Sequence, residues 1–416
     1  INATDSSMVM AQAGSLAASW GNDTQKLQSS TSVGLSIAVN LIGNKSGSKV
    51  LATIDNSTVA AGGAIEVAAK TADTGQIWSL AVSGAGSKVT ASRPNADNRD
   101  VAEEGGLVGI FSGAGAGAFA WNSVETVIHA GITGSVVTAD GQRTVAPGSA
   151  AADAITVTAQ DLTDLIGAYA FGIAAAYSQM NVQDNEATSF AVGIGIAGNT
   201  VSNSVSAQID QKSSVTASGM GPDTGISLQA KESASVSAVG IGLTAAIATA
   251  TVKVKSLSGY SLAGSLAWNA IDNTTEASIA GSAVTAGMGG VSLHATDDAV
   301  VRGVAGTLAV SWEQSKGGSN RAVAAGLSLV VNDVGQSSGH SVEAFVDSST
   351  VDALGDATIV ATSTLAVEAY AVGGSVAVAN RGASSLSLAA LGAVALNAVT
   401  QTVAASVKNT AAITAG

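Results

Sequence analysis

One pattern returns six times along this chain of 416 residues, and it constrains the fold more than any single motif does. Its most regular part is an S-x-V-x-A-like segment whose valine falls at Val59, Val137, Val215, Val284 and Val351, with Ile413 in the sixth place. The spacings are 78, 78, 69, 67 and 62 residues, too variable for a heptad and suited to stacked units that tolerate loop insertions. After each full anchor a second segment alternates strictly, as in Ile65, Val67, Ala69 and Ile155, Val157, Ala159, then Ile226, Leu228, Ala230 and Val291, Leu293, Ala295. Period-two alternation with β-branched residues predicts strands with one buried face.

Fifteen to nineteen residues before each anchor stands an asparagine, at Asn40, Asn122, Asn199, Asn269, Asn332 and Asn397, each closing an apolar alternating run such as "LSIAVN" or "GSLAWN". Asparagine tolerates left-handed geometry and its amide bonds nearby backbone, so these six are read as structural turn residues at a corner. Upstream of each lies a polar stretch of variable length, from "NRGAS" to "SRPNADNRDVAEEGG". Surface loops absorb such variation, and if the units stack these loops share one edge, where recognition is expected.

A unit of about 70 residues with small apolar side chains cannot close a core alone. Winding it into a parallel β-solenoid solves this, because each strand then pairs with the rung above and below. Roughly three rungs per unit at ~4.8 Å each would make a rod about 80–90 Å long, with its two sheets about 10 Å apart. Composition agrees: aromatics are 3% and Gly 49 residues, so a thin core of Ala, Val, Ile and Leu is expected rather than a bulky enzyme interior. The two charge-free runs at 105–124 and 233–252 are long enough to cross a bilayer but are diluted by Gly, Ser and Thr; they are read as strands, and no membrane span is expected. The whole of 1–416 is read as one continuous array, a piece of a longer protein.

The net charge of −13, with 17 Lys plus Arg, excludes a phosphate-binding surface and hence nucleic acid. No cysteine is present, which removes disulfides, thiol nucleophiles and thiolate metal sites. His129, His294 and His340 stand alone in sequence, and no zinc-protease or serine-hydrolase motif surrounds them. The densest acidic group, Asp97, Asp100, Glu103 and Glu104, is a weak calcium candidate whose spacing matches neither an EF-hand loop nor the Gly-rich nonapeptide calcium repeat. No catalytic pair and no cofactor site emerge. Of the five tryptophans, Trp121 and Trp268 directly precede the recurring asparagine and are read as packing residues.

With its units written out, as in "WNAIDNTTEASIAGSAVTAGMGGVSLHAT" (268–296), the chain resembles the repetitive passenger regions of large bacterial surface exoproteins of the filamentous-haemagglutinin-like adhesin type. That resemblance implies an elongated right-handed β-helix, secreted to the bacterial cell surface, and used as a stalk or filament in adhesion. The expected function is therefore a non-enzymatic extracellular structural or adhesive segment. Its expected partners are other copies or neighbouring segments of the same chain, surface glycans or other cells. Two alternatives stay open: a carbohydrate-binding or carbohydrate-processing β-helix, and a self-assembling filament or sheath subunit.

Overall fold

A computed structural model describes residues 1–23, 29–43, 47–92, 109–140, 154–218, 225–337, 339–381, 383–409 and 411–416. Among them every regular element is a strand. The first turn of the chain runs through β1 (Asn2–Asp5), β2 (Met8–Asp23), β3 (Ser29–Ile42), β4 (Ser48–Asp55) and β5 (Thr58–Ala61). The second comprises β6 (Ile65–Thr71), β7 (Gln76–Ser92), β8 (Gly109–Thr133) and β9 (Val136–Ala139). The third comprises β10 (Ile155–Asp161), β11 (Leu165–Asn181), β12 (Glu186–Asp210) and β13 (Ser214–Ala217). The fourth has β14 (Ile226–Glu232), β15 (Ser235–Ala250), β16 (Ser256–Ile271), β17 (Thr274–Ala280) and β18 (Ala283–Ala286). The fifth has β19 (Val291–Asp297), β20 (Val300–Gln314), β21 (Ser319–Val334), β22 (Ser341–Asp347) and β23 (Thr350–Ala353). The last has β24 (Ala357–Ser363), β25 (Ala366–Asn380), β26 (Ser384–Val399), β27 (Thr402–Lys408) and β28 (Ala412–Ala415).

Equivalent strands pair in parallel to form four sheets: β1-β6-β10-β14-β19-β24, β2-β7-β11-β15-β20-β25, the short β5-β9-β13-β18-β23-β28, and a ten-stranded sheet carrying β3 and β4 to β26 and β27 through β8 and β12. This is the all-β parallel solenoid that the alternation predicts. The register follows the sequence anchors residue for residue: Val59 pairs with Val137, Val137 with Val215, Val215 with Val284, Val284 with Val351 and Val351 with Ile413.

Each unit makes one rung, not three. The expected long thin rod is thereby corrected: six rungs span about 24 Å along the stack at ~4.8 Å spacing, whereas the 25 residues of β8 trace about 80 Å at ~3.3 Å per residue. The long dimension lies along the strands.

Two regions share this rung. In the head, the β6-type sheet faces the C-terminal part of the ten-stranded sheet and the short sheet closes the end. Its interior is one cluster of Val, Ile, Leu and Ala, including Val67, Ile128, Ile155, Ile209, Leu228 and Val284. Its outer positions are mostly polar, as Thr156, Thr158 and Gln160 on β10 illustrate, with Leu51, Val127 and Phe345 among the exceptions. Burying these β-branched side chains on one face while wetting the other is ordinary solenoid chemistry. The corner between the head strands and the short sheet is built by a left-handed residue: Asn56 (φ 45°), Gly134 (57°), Gln211 (54°), Gly281 (56°), Ser348 (49°) and Asn409 (47°). The serine that follows accepts the amide N–H of its counterpart in the rung before, as Ser57 N–H to Ser135 Oγ (3.0 Å) and Ser213 N–H to Ser282 Oγ (3.2 Å). The recurring grammar of the anchor segment is thus a corner grammar.

Beyond the head, the β7-type sheet and the N-terminal part of the ten-stranded sheet run out together as a two-layer blade that ends in the polar loops. No helix of the described residues is long and apolar enough to cross a membrane. Of the two charge-free runs, the described part of 105–124 lies in β8 and most of 233–252 lies in β15.

Candidate functional site on the apolar blade

The recurring asparagines sit inside the strands of the blade, in mutual register, and none has a positive φ. Their assignment to a turn is corrected; the turn lies twelve or sixteen residues further on, at Asn56 and its equivalents. Each side chain points inward between the sheets. Asn122 Nδ2 donates to the Gly167 carbonyl of the facing sheet (2.7 Å) and to Asn199 Oδ1 of the next rung (2.8 Å). Asn199 does the same to Ser237 O and Asn269 Oδ1, both at 2.8 Å, and the chain of amides runs on from Asn40 to Asn397. Because only nitrogen can face the carbonyl, every amide is oriented the same way.

That reach fixes a short distance between the sheets, so the middle of the blade interior is built of small side chains, while the larger Ile110, Met180 and Leu257 gather at the tip. Ala168, Ala170, Ala174 and Ala176 point inward from β11, and Ala191 and Ala197 from β12. Paired hydroxyls fill the remaining inner positions, as Ser178–Ser189 (2.9 Å) and Thr244–Ser261 (2.6 Å). At Gly172 a methyl group would collide with the carbonyl of Ile194 opposite, and at Gly195 with that of Ile241. The sheets therefore approach more closely than the ordinary 10 Å expected for them.

Strict alternation then sends the large side chains outward. On β11 these are Tyr169, Phe171, Ile173 and Tyr177; on β12 they are Phe190, Val192, Ile194 and Ile196. The blade has the reverse of the head's polarity: small and polar within, bulky and apolar without. Even in interior rungs, flanked by neighbours on both sides, Ile173, Ile194, Leu262 and Leu308 are 40–46% exposed. Exposed apolar area of this extent marks a contact surface.

Trp and Tyr are sorted on it. Near the asparagine ladder stand Trp78, Trp121, Tyr169, Trp268 and Tyr370; near the tip stand Trp20, Tyr177, Tyr260 and Trp312. These are all five tryptophans and all four tyrosines of the chain. Trp121 and Trp268, read as packing residues, face outward, where Trp121 stacks on Phe119 with ring centroids 6.0 Å apart. Within one strand the rows are eight residues apart, Tyr169 to Tyr177 and Tyr260 to Trp268, or about 26 Å at ~3.3 Å per residue. Between the rows no described outward position is charged. Charge returns at or just beyond them: Lys88 lies over the Tyr177 ring at 5.5 Å, Arg302 pairs with Glu368 at 2.8 Å near the head, and Lys255 pairs with Glu186 at 3.4 Å at the tip.

A buried polar seam marks the junction of blade and head. Thr71, Asp161, Glu232, Asp297 and Ser363 occupy one register position at the end of their strands. Asp161 accepts from Thr71 Oγ1 (2.8 Å), Thr163 Oγ1 (2.7 Å) and Asn203 Nδ2 (2.8 Å). Asp297 accepts from the Ala299 N–H (2.9 Å) and meets His340 Nε2 at 2.7 Å, both side chains fully buried. Between them, neither carboxyl oxygen of Glu232 has a hydrogen-bond partner. Burial first, and the neighbouring Asp161 and Asp297 second, push its carboxyl well above the usual range.

His340 is thus not alone, as its sequence setting suggested, but it is sealed from solvent and touches no nucleophile. His294 faces outward, and His129 bonds Ser206 at 2.8 Å, its pKa lowered by burial against the opposing pull of Asp210 and Glu276. The acidic group Asp97, Asp100, Glu103 and Glu104 lies outside the described residues. Among the described residues no group of three or more His, Asp or Glu is placed to hold a metal ion. Sequence reasoning missed the aromatic rows and the seam; the signal for the rows was parity, since an inward Asn122 forces Trp121 outward. No protein-family model, curated protein or solved structure matches the chain.

Proposed function

We propose that this chain is a non-enzymatic structural and adhesive segment of a bacterial surface exoprotein, and that it makes contact through the apolar faces of the blade. The observation that carries this reading is the inversion of the blade relative to the head within every rung. A solenoid that served only as a spacer would have mostly polar outer positions along its whole rung, as the head does, because exposed Leu, Ile and Trp promote association. The variable loops remain at the tip, but the area able to bind is on the flanks.

The carbohydrate reading needs aromatics beside carboxylates, whereas the described Trp and Tyr stand mostly among aliphatic side chains and Gly. The filament reading keeps one support: the outermost strands β2, β3, β25 and β26 each pair on one side only, and such edges accept another rung.

Adsorption to an alkyl-coated surface tests the proposal. The protein should be retained, and the combined variant Ile173→Ser, Ile194→Ser, Leu243→Ser should elute early while keeping its β circular dichroism, because all three side chains point outward. A wild-type chain that passes unretained would overturn the contact role of the blade.

A further inference from the structure

We infer that the surface this blade contacts is a lipid bilayer, which it enters tip first, with the two aromatic rows at the two membrane interfaces. The inference rests on the reading of the blade as a contact surface and names what it contacts.

Four features of the blade meet the demands of that solvent. First, the interval between the rows, about 26 Å, matches the apolar band of about 25 Å between aromatic girdles in membrane-spanning β-structure. Second, both flanks are apolar, so the whole blade can be submerged; an object that rests on an oily surface needs only one such flank. Third, polarity returns past the outer row, at Glu186, Lys253 and Lys255, where a spanning element must meet water again. Fourth, the polar content is kept inside and largely paired, with Glu313 Oε2 and the hydroxyls of Ser32 and Ser79 as exceptions among the described residues of the blade. The asparagine ladder and hydroxyl pairs are enclosed, and the backbone of interior strands is bonded to the rungs on either side, which hydrocarbon requires.

A second copy packed flank to flank explains less. Face-to-face sheets interdigitate along their whole length, which gives no reason for Trp and Tyr to collect at two levels. Nor does it suit β8, where Gly113, Gly115 and Gly117 are overlain by Phe111 and by Thr31, Val33 and Leu35 of β3, which leaves the outer face uneven. Lipid tails fill an uneven face; a rigid sheet does not. The open edges at β2, β3, β25 and β26 add a condition, since unpaired strand edges are not tolerated in hydrocarbon. Within a bilayer the first and last rungs must meet further rungs, so inserted copies should associate end to end. The expectation of no membrane span weighed helices only; here the crossing elements are strands.

The test uses the full chain added from dilute detergent to preformed phosphatidylcholine vesicles. The protein should float with the vesicles, and polarised infrared spectra of oriented bilayers should show the blade strands steeply inclined to the membrane plane. In single-tryptophan versions, with the other four changed to Phe, Trp268 and Trp312 should both be quenched best by lipids brominated near the carbonyl region. Only Trp268, on the head side, should also be reached by iodide added outside. The variant Ile173→Asp, Leu243→Asp should lose at least tenfold in vesicle binding with its β spectrum unchanged. Strands lying in the membrane plane, or equal iodide access for Trp268 and Trp312, would overturn insertion. Retention on the alkyl surface without vesicle flotation would leave the contact reading standing and remove the bilayer; loss of both would remove both.

Discussion

Glu232 is the residue at which the fold is least at ease. It occupies the same register position as Asp161 and Asp297, but those two carboxylates are satisfied by Thr71, Thr163, Asn203, His340 and a backbone N–H, while its own oxygens have none. Folding raises its proton affinity, so the folded state holds this proton more tightly than the unfolded chain does. Its contribution to stability is therefore fully present below about 4.5, the ordinary glutamate value, and is lost as pH rises through the higher folded-state value. Glu232→Gln should flatten that slope and raise the melting temperature at neutral pH by a few degrees, since ~1 kcal/mol is worth about 2–4 °C in a chain of this size. Melts of both proteins at pH 4 and pH 8 check it; identical pH slopes would refute it. The seam was not legible in the sequence because its members are of six residue types, Thr, Asp, Glu, Asp and Ser on one side and Asn or His on the other. Chemistry recurs there without identity, and only register reveals it.

The blade strands teach a different lesson about what alternation can say. On β10, Ile155 and Val157 alternate with Thr156 and Thr158, so polarity decides which face is buried. On β11, Ala168 and Ala170 alternate with Tyr169 and Phe171, and neither set is polar. Bulk is the ordinary tie-breaker, and it gives the wrong face here because the interior was set by the asparagine amides and by backbone approach. Glycine is the clearest reporter of that approach. Gly195→Val should destabilise by about 3 kcal/mol or more, as its side chain would strike the carbonyls of Ile241 and Ala170. Gly86 on the outer face of β7 has open space around it, and Gly86→Ala should be neutral or stabilise by about 0.5–1 kcal/mol. Chemical denaturation of the pair distinguishes a crowded seam between sheets from a strand that merely dislikes larger side chains; equal effects would argue against close approach.

At the scale of the whole molecule, the repeat length of 62–78 residues was plain, yet its division into rungs was not, because strands of ordinary length would fill three turns with it. The blade strands run fourteen to twenty-five residues, which uses the unit up in one. It follows that a whole unit can be removed as a module. Deleting residues 215–283, which joins Ser214 to Val284, takes out one complete rung and should leave an all-β spectrum and a cooperative melt. Deleting only 215–248 should abolish both, and a half-unit deletion that folds as well as the whole one would contradict the one-rung unit. The asparagine ladder gives this modularity a direction. All its amides donate toward the C-terminal rung, so a rung copied in frame extends an existing sequence of dipoles, whereas a copy that slips by even two residues leaves a donor facing an alkyl group. A gene that lengthens by unequal exchange among its own repeats would thus be checked at the protein level for phase. The ladder acts as a parity test on each duplication, admitting growth only in whole steps and only with one polarity.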